Sequence, residues 1–185
     1  KRRIIRMCDE IRKYDPDMPI YLMCLPPSRM EDMDDYRKAG VTEVGFNIEI
    51  FSPEIARRYM PGKSSLTLSR YITALRYATH VWVKPGSVRS ALIVGLEPVE
   101  KTLEAVELLA SLGVSPILSI FRPVPGTDLE NIMPLSSEEL YDIVEKAFRI
   151  CERYGVELGP DCIDCQNNTL SAPHSILINT FGNQP

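Results

Sequence analysis

Apolar residues recur along this chain in two rhythms that alternate from end to end. Between Lys1 and Tyr14, Ile4, Ile5, Met7, Cys8 and Ile11 fall at helical spacing, and Asp15-Pro16 closes the run. Ile20 to Leu25 is continuously apolar and ends in Pro26-Pro27, the pattern of a buried parallel strand. Ser28, with Glu31 three residues later, predicts a capped helix through Lys38 that Gly40 stops. A second strand is predicted from Glu43 to Ile50. Ser52-Pro53-Glu54 then opens a helix that Met60-Pro61-Gly62-Lys63 interrupts, and a longer helix from Thr67 to about Ala78 buries Leu68, Ile72, Leu75 and the ring of Tyr71. Val88 to Leu96 reads as a third strand, Pro98 to Leu112 as an amphipathic helix, and Val114 to Phe121 as a fourth strand running into the rigid loop Arg122 to Thr127. Ser136 or Ser137 starts the last long helix, which buries Leu140, Ile143, Val144, Ala147, Phe148 and Cys151 and ends before Gly155. From Asp161 to Pro185 the periodicity fades into a polar tail expected to be mobile.

Strands that alternate with helices imply a parallel sheet, and right-handed crossovers curve such a sheet into part of a barrel. The expected architecture is therefore α/β: a partial TIM-like parallel (β/α) barrel of about four units over residues 1–160, followed by an irregular extension over 161–185. Four units do not close a barrel, so Ile20 to Leu25 is an open edge unless further strands, a partner chain or a helix covers it.

One strand breaks the apolar rule. In Phe46-Asn47-Ile48-Glu49 the side chains of Asn47 and Glu49 alternate with apolar neighbours, so on a strand both point to one face while Phe46 and Ile48 point to the other. In parallel α/β folds functional groups gather at the carboxyl ends of strands, and this strand ends just beyond the pair. A barrel-lining pair or an edge strand gives the same pattern.

Composition narrows the classes. The 185 residues, 44% hydrophobic and 25% charged, are ordinary for a globular chain. A net charge of -4 without a dense Lys/Arg run argues against nucleic acid as a partner, although Lys1-Arg2-Arg3 is locally basic. The sequence carries neither a membrane-spanning apolar stretch nor a secretory leader, which points to a cytoplasmic protein whose five cysteines are reduced thiols or metal ligands. The first residue is Lys1, inside a helical pattern, so the chain is expected to be a piece of something longer.

Four segments, taken in order, resemble the radical S-adenosylmethionine enzymes, nearest to the biotin synthase-like branch. They are Phe46-Asn47-Ile48-Glu49, Ile93-Val94-Gly95-Leu96-Glu97, Phe121-Arg122-Pro123-Val124-Pro125-Gly126-Thr127 and Cys162-Ile163-Asp164-Cys165-Gln166-Asn167-Asn168, and the likeness covers roughly Ile4 to Asn168. The resemblance implies a partial (β/α)6 barrel of which these units are the third to sixth. It also implies that Asn47 and Glu49 hold the ribose or amino group of S-adenosylmethionine, a task that an amide and a carboxylate suit. Arg70 would hold the methionine carboxylate. Ile93 and Gly95 would let backbone approach the adenine, and Val124 would supply apolar contact to it. An electron donor such as flavodoxin or ferredoxin, and a small-molecule or peptide substrate, are the implied partners.

The sequence departs from that family at its defining element. The C-x3-C-x2-C loop, whose thiolates hold a [4Fe-4S] cluster, is absent, and Cys8 and Cys24 stand alone. The expectation is that the first two units, with the cluster ligands, lie on residues this chain does not contain. Cys162 and Cys165 form a single C-x2-C, half of an auxiliary cluster or zinc site with Cys151 or His174 as further ligands, or else ordinary thiols. Met60-Pro61-Gly62-Lys63-Ser64 lacks the full phosphate-loop spacing and reads as a turn. Glu97 and Glu100 read as the acidic start of their helix. The rival functional reading is a cluster-free half-barrel that binds a small anion or nucleotide, or serves as an assembly subunit.

Overall fold

A computed structural model describes residues 1–159, 169–170 and 174–182. Four strands form one parallel sheet in the order in which they occur: β1 (Tyr21–Met23), β2 (Glu43–Gly45), β3 (Val88–Val94) and β4 (Ser115–Ile120). Helix α1 (Arg2–Tyr14) precedes the sheet, α2 (Asp32–Lys38), α3 (Pro53–Tyr59), α4 (Leu68–Val81) and α5 (Val99–Ser111) lie in the crossovers, and α6 (Ser137–Tyr154) follows β4. The α/β alternation and the partial barrel read from the pattern are present, with α2 packed on α4 and α5 on α6.

Residues paired across parallel strands point to the same side, so the register sorts the sheet into two faces. Leu22, Val44 and Val88 share the helix side, as do Ser90, Leu92, Leu118 and Val94 further along. Val44, Ser90, Leu92 and Leu118 are fully buried there. The other side carries Tyr21, Met23, Glu43, Gly45, Arg89, Ile93 and Ser119, and among the described residues no helix packs on Tyr21 or Met23, which stay exposed. Near the start of the strands Arg89 Nη2 pairs with Glu43 at 2.9 Å and its guanidinium lies 5.5 Å from the centre of the Tyr21 ring. The Tyr21 hydroxyl occupies the space a side chain at Gly45 would need, so Gly45 is glycine for close approach.

Three expectations change. Strands β1 and β2 are shorter than predicted, because β2 gives up ladder geometry after Gly45. Ser28 caps nothing: α2 begins at Asp32, with Glu31 at its N-cap position and no side-chain cap. The tail is not featureless, since α7 (His174–Leu177) and the π-helical turn Ile178–Gly182 bury Leu177 and Phe181. The Phe181 ring packs 5.7 Å from that of Phe148 and 5.3 Å from that of Tyr141, both on α6. That contact offsets the ordering of a polar segment by hiding one aromatic side chain.

Candidate functional site

The segment after β2 is where the sheet is irregular. Gly45 pairs with Arg89 and Glu49 bridges to Leu92, so four residues advance on this chain against three on β3. That is a bulge of one residue, a device that re-aims side chains at the rim of a barrel. The ladder bonds lost to the bulge are replaced one by one. The buried Ser90 hydroxyl donates to Phe46 O at 2.9 Å and accepts from Ile48 N at 3.1 Å. The Asn47 side-chain oxygen accepts from Ala91 N at 3.1 Å, while Asn47 Nδ2 reaches Met23 Sδ at 3.2 Å. Beyond the bulge, Glu49 N donates to Ala91 O at 2.8 Å and Glu49 O accepts from Ile93 N at 2.7 Å.

Among the described residues Glu49 is the one non-glycine residue with positive φ, at 66°. A side chain in that left-handed region persists only where its surroundings hold it. The surroundings are its two bonds to β3 and the clamp on the next residues. Glu97, just 8% exposed, accepts from Phe51 N at 3.0 Å and from Ser52 N at 2.8 Å. It thus fixes the turn into α3, whose own N-cap Ser52 makes no side-chain cap. Gly95, at φ 105°, frees the chain to swing from β3 towards Glu97.

The Glu49 carboxylate meets Lys63 Nζ at 2.6 Å, with both side chains largely shielded. Lys63 sits in the tight turn after α3, where Lys63 N and Ser64 N both donate to Met60 O. The turn reading of this loop holds, yet its lysine ends on the polar pair. A carboxylate that already attracts an ammonium is a site able to receive the ammonium of a ligand.

The sequence-derived candidates divide accordingly. Glu49 and Ile93 are joined by a direct hydrogen bond, Asn47 and Glu49 both bond to Ala91 of the same strand, and Gly95 follows two residues beyond Ile93. Arg70 is engaged elsewhere: Nη2 donates to Pro27 O and, at 2.6 Å, to Ser28 O, pinning the loop after β1. Val124 is exposed in the loop between β4 and α6. Cys162 and Cys165 lie outside the described residues, as do those around them. Cys151 is buried on α6, and burial pushes its thiol up to about 12. Among the described residues no group of three or more His, Cys, Asp or Glu is placed to hold a metal ion. No described helix is long and apolar enough to cross a membrane.

Sequence reasoning missed Lys63 and Glu97. The signal for Glu97 was available, since it closes a strand of small buried residues, but its partners lie 45 and 46 positions away. Lys63 offered only a Gly-Lys pair in a loop.

Comparison with known proteins adds three findings. No family model matches the chain. Over 130 residues, 70% of the chain, it is 29% identical to the bacteriochlorophyllide c C-7(1)-hydroxylase of Chlorobaculum limnaeum, of which it spans 32%. Its fold matches that of coproporphyrinogen III oxidase (HemN) from Escherichia coli, a radical SAM enzyme, with a TM-score of 0.60 and 18% identity over 82% of the chain. The chain corresponds to 37% of the length of HemN. It spans about a third of each relative, and the parallel sheet with alternating helices is the fold of part of a radical SAM enzyme.

Proposed function

We propose that this chain is part of a radical S-adenosylmethionine enzyme, arranged as in the biotin synthase-like branch, and that its open face holds the nucleoside and amino-acid ends of the cofactor. The observation that carries the reading is the bulge after β2. It presents an amide and a carboxylate at the carboxyl end of a parallel strand, in a fold shared with HemN. The donor chemistry fits the cofactor, because the Glu49 carboxylate already binds one ammonium, that of Lys63.

In this reading Glu49 accepts from the cofactor's ammonium or ribose hydroxyls, Asn47 orients the same groups through Nδ2, and Lys63 shifts from Glu49 to a carboxylate oxygen. Arg70 holds the methionine carboxylate only if it releases the Pro27 and Ser28 carbonyls, so Lys63 is the better-placed cation. Ile93 and Gly95 line the adenine path and Val124 closes over it. When bound to a [4Fe-4S] cluster, S-adenosylmethionine supplies a 5'-deoxyadenosyl radical. The described residues do not fit the cluster itself, whose ligands we place on residues outside this chain. The electron donor, a flavodoxin or ferredoxin, would meet that outer segment.

Anaerobic iron and sulfide analysis of the full-length gene product tests the reading. The expected result is about four irons and four sulfides per chain and reductive release of 5'-deoxyadenosine. A metal-free product that binds S-adenosylmethionine no better than adenosine would favour the cluster-free half-barrel.

A further inference from the structure

The cations of α1 and its N-cap fall into two groups. Lys1, Arg12 and Lys13 are used locally: Lys1 pairs with Asp35 and, at 3.0 Å, with Asp32, Arg12 donates at 2.5 Å to both Met18 O and Gly40 O, and Lys13 meets Glu10 at 2.7 Å. Arg2, Arg3 and Arg6 are exposed, and among the described residues no hydrogen bond or ion pair engages their side chains. Arg6 lies four residues from Arg2 and three from Arg3, so the three share a helix face, where they border a shallow groove with Met7, itself 58% exposed. Like charges at that spacing weaken a helix, so the stability of α1 does not account for the cluster. It also stands out in a chain of net charge -4. The position of the cluster is fixed by the bonds of its neighbours. Arg12 ties the far end of α1 to Met18 and Gly40, just before β1 and β2, whereas Lys1 ties the near end to the first turn of α2, which follows the carboxyl end of β1. Arg2, Arg3 and Arg6 therefore lie at the carboxyl end of the sheet, the end that carries Asn47 and Glu49, and beside its β1 edge.

We propose that Arg2, Arg3, Arg6 and Met7 form a docking surface for an acidic protein, the electron donor of the cofactor reading, on which this inference rests. The chemistry is complementary: guanidinium groups take carboxylates in paired hydrogen bonds, and arginine and methionine are the residues that protein interfaces favour over the rest of a surface. The place is right as well, because the cluster ligands are assigned to units that precede β1, and a donor meeting those units comes to rest beside α1. A lipid surface suits the patch less well. The apolar stripe of α1, Ile4, Ile5 and Cys8, packs into the core, which leaves no apolar face to enter a bilayer.

Calorimetric titration of the complete protein with an acidic flavodoxin tests it. One saturable site is expected, weakened about tenfold as salt is raised from low to physiological strength. The double variant Arg2→Glu/Arg6→Glu should bind at least about tenfold more weakly at low salt and with a flatter salt dependence. Lys38→Glu/Lys84→Glu makes the same change of charge on exposed residues at the other end of the sheet, and should change affinity by less than about threefold. All four positions are exposed, and circular dichroism checks that both variants fold. Release of 5'-deoxyadenosine driven by dithionite should match the parent in Arg2→Glu/Arg6→Glu, while release driven by flavodoxin should fall. Absence of dithionite-driven release in the parent would overturn the cofactor reading and this proposal with it. With that release intact, equal flavodoxin affinity in the two double variants, or tighter binding of the parent to phosphatidylserine vesicles than to flavodoxin, would overturn the docking surface alone.

Discussion

On the helix side of the sheet, Val44, Leu92 and Leu118 are sealed by α4, α5 and their neighbours, while on the other side Tyr21 and Met23 remain 39% and 63% exposed. The same strands therefore serve two physical purposes. The sealed face supplies the apolar burial that holds the units together, at about 25 cal/mol per Å² removed from water. The open face is polar and irregular, carrying Glu43 and Arg89 at one end and Asn47, bonded to Met23, at the other, with the bulge and Glu49 following at its rim. It contributes little to the core, and it is free to carry a bulge, a left-handed carboxylate and an ion pair. Stability lives on one side and chemistry on the other.

The sharpest way to break this contrast is to truncate one residue on each face. Leu92→Ala should lose about 3–4 kcal/mol in urea unfolding, through lost transfer free energy and the cavity left behind. Met23→Ala, on the exposed side, should change stability by no more than about 0.5 kcal/mol. Equal losses would mean that something covers the open face.

Glu97 joins the two regions, because it is buried and yet shapes the turn after the polar pair. Glu97→Ala should cost about 2–3 kcal/mol, the value of charge-assisted hydrogen bonds whose donors are left buried. It should also release Glu49 from its left-handed conformation. A loss below about 0.5 kcal/mol would show that the clamp contributes nothing to the fold.

A smaller effect is expected far from both faces. Ser136 accepts from Glu139 N while Glu139 accepts from Ser136 N, a reciprocal cap on α6, and Ser136→Ala should cost about 1 kcal/mol. The bond to the Ser136 backbone is the main reason the Glu139 carboxyl lies below its usual range. The cap's share of stability is accordingly present at neutral pH and fades as acid protonates that carboxylate.

At neutral pH Cys151 contributes no pH dependence at all. Its thiol is raised by burial from 9.0 to about 12, so above pH 9 the unfolded chain loses its proton first. Stability should therefore fall with rising pH from about 9 to 12, and Cys151→Ala should flatten that slope. An unchanged alkaline slope in the variant would refute the assignment.

How much of this was legible follows from the range of each interaction. The α6 cap and its αL Gly155 lie within a few residues of their partners, and the pattern placed the start at Ser136 or Ser137 and the stop at Gly155. The helical faces and the four strands followed from periodicity, which depends on burial, and the parallel sheet from their alternation. The end of β2 did not, because the bulge forms only when Ser90 and Ala91, more than 40 residues away, meet Phe46, Ile48 and Asn47. The alternation of Asn47 and Glu49 with buried Phe46, Ile48 and Ile50 survives in the burial pattern even though the regular strand stops at Gly45. Lys63 was read correctly as part of a turn, but where its side chain would end depended on how that turn folds back. The docking of Phe181 was hidden because one aromatic side chain in a polar tail produces no repeat.

The central claim is that Asn47 and Glu49, presented by the bulge, hold S-adenosylmethionine. The direct test is binding of S-adenosylmethionine by the complete protein, measured for the parent, Asn47→Ala and Glu49→Ala under conditions where all three are folded. The account predicts weakening of roughly tenfold or more in each variant, the loss of one charge-assisted or polar contact of about 1.5–3 kcal/mol. Unchanged affinity in both would contradict it.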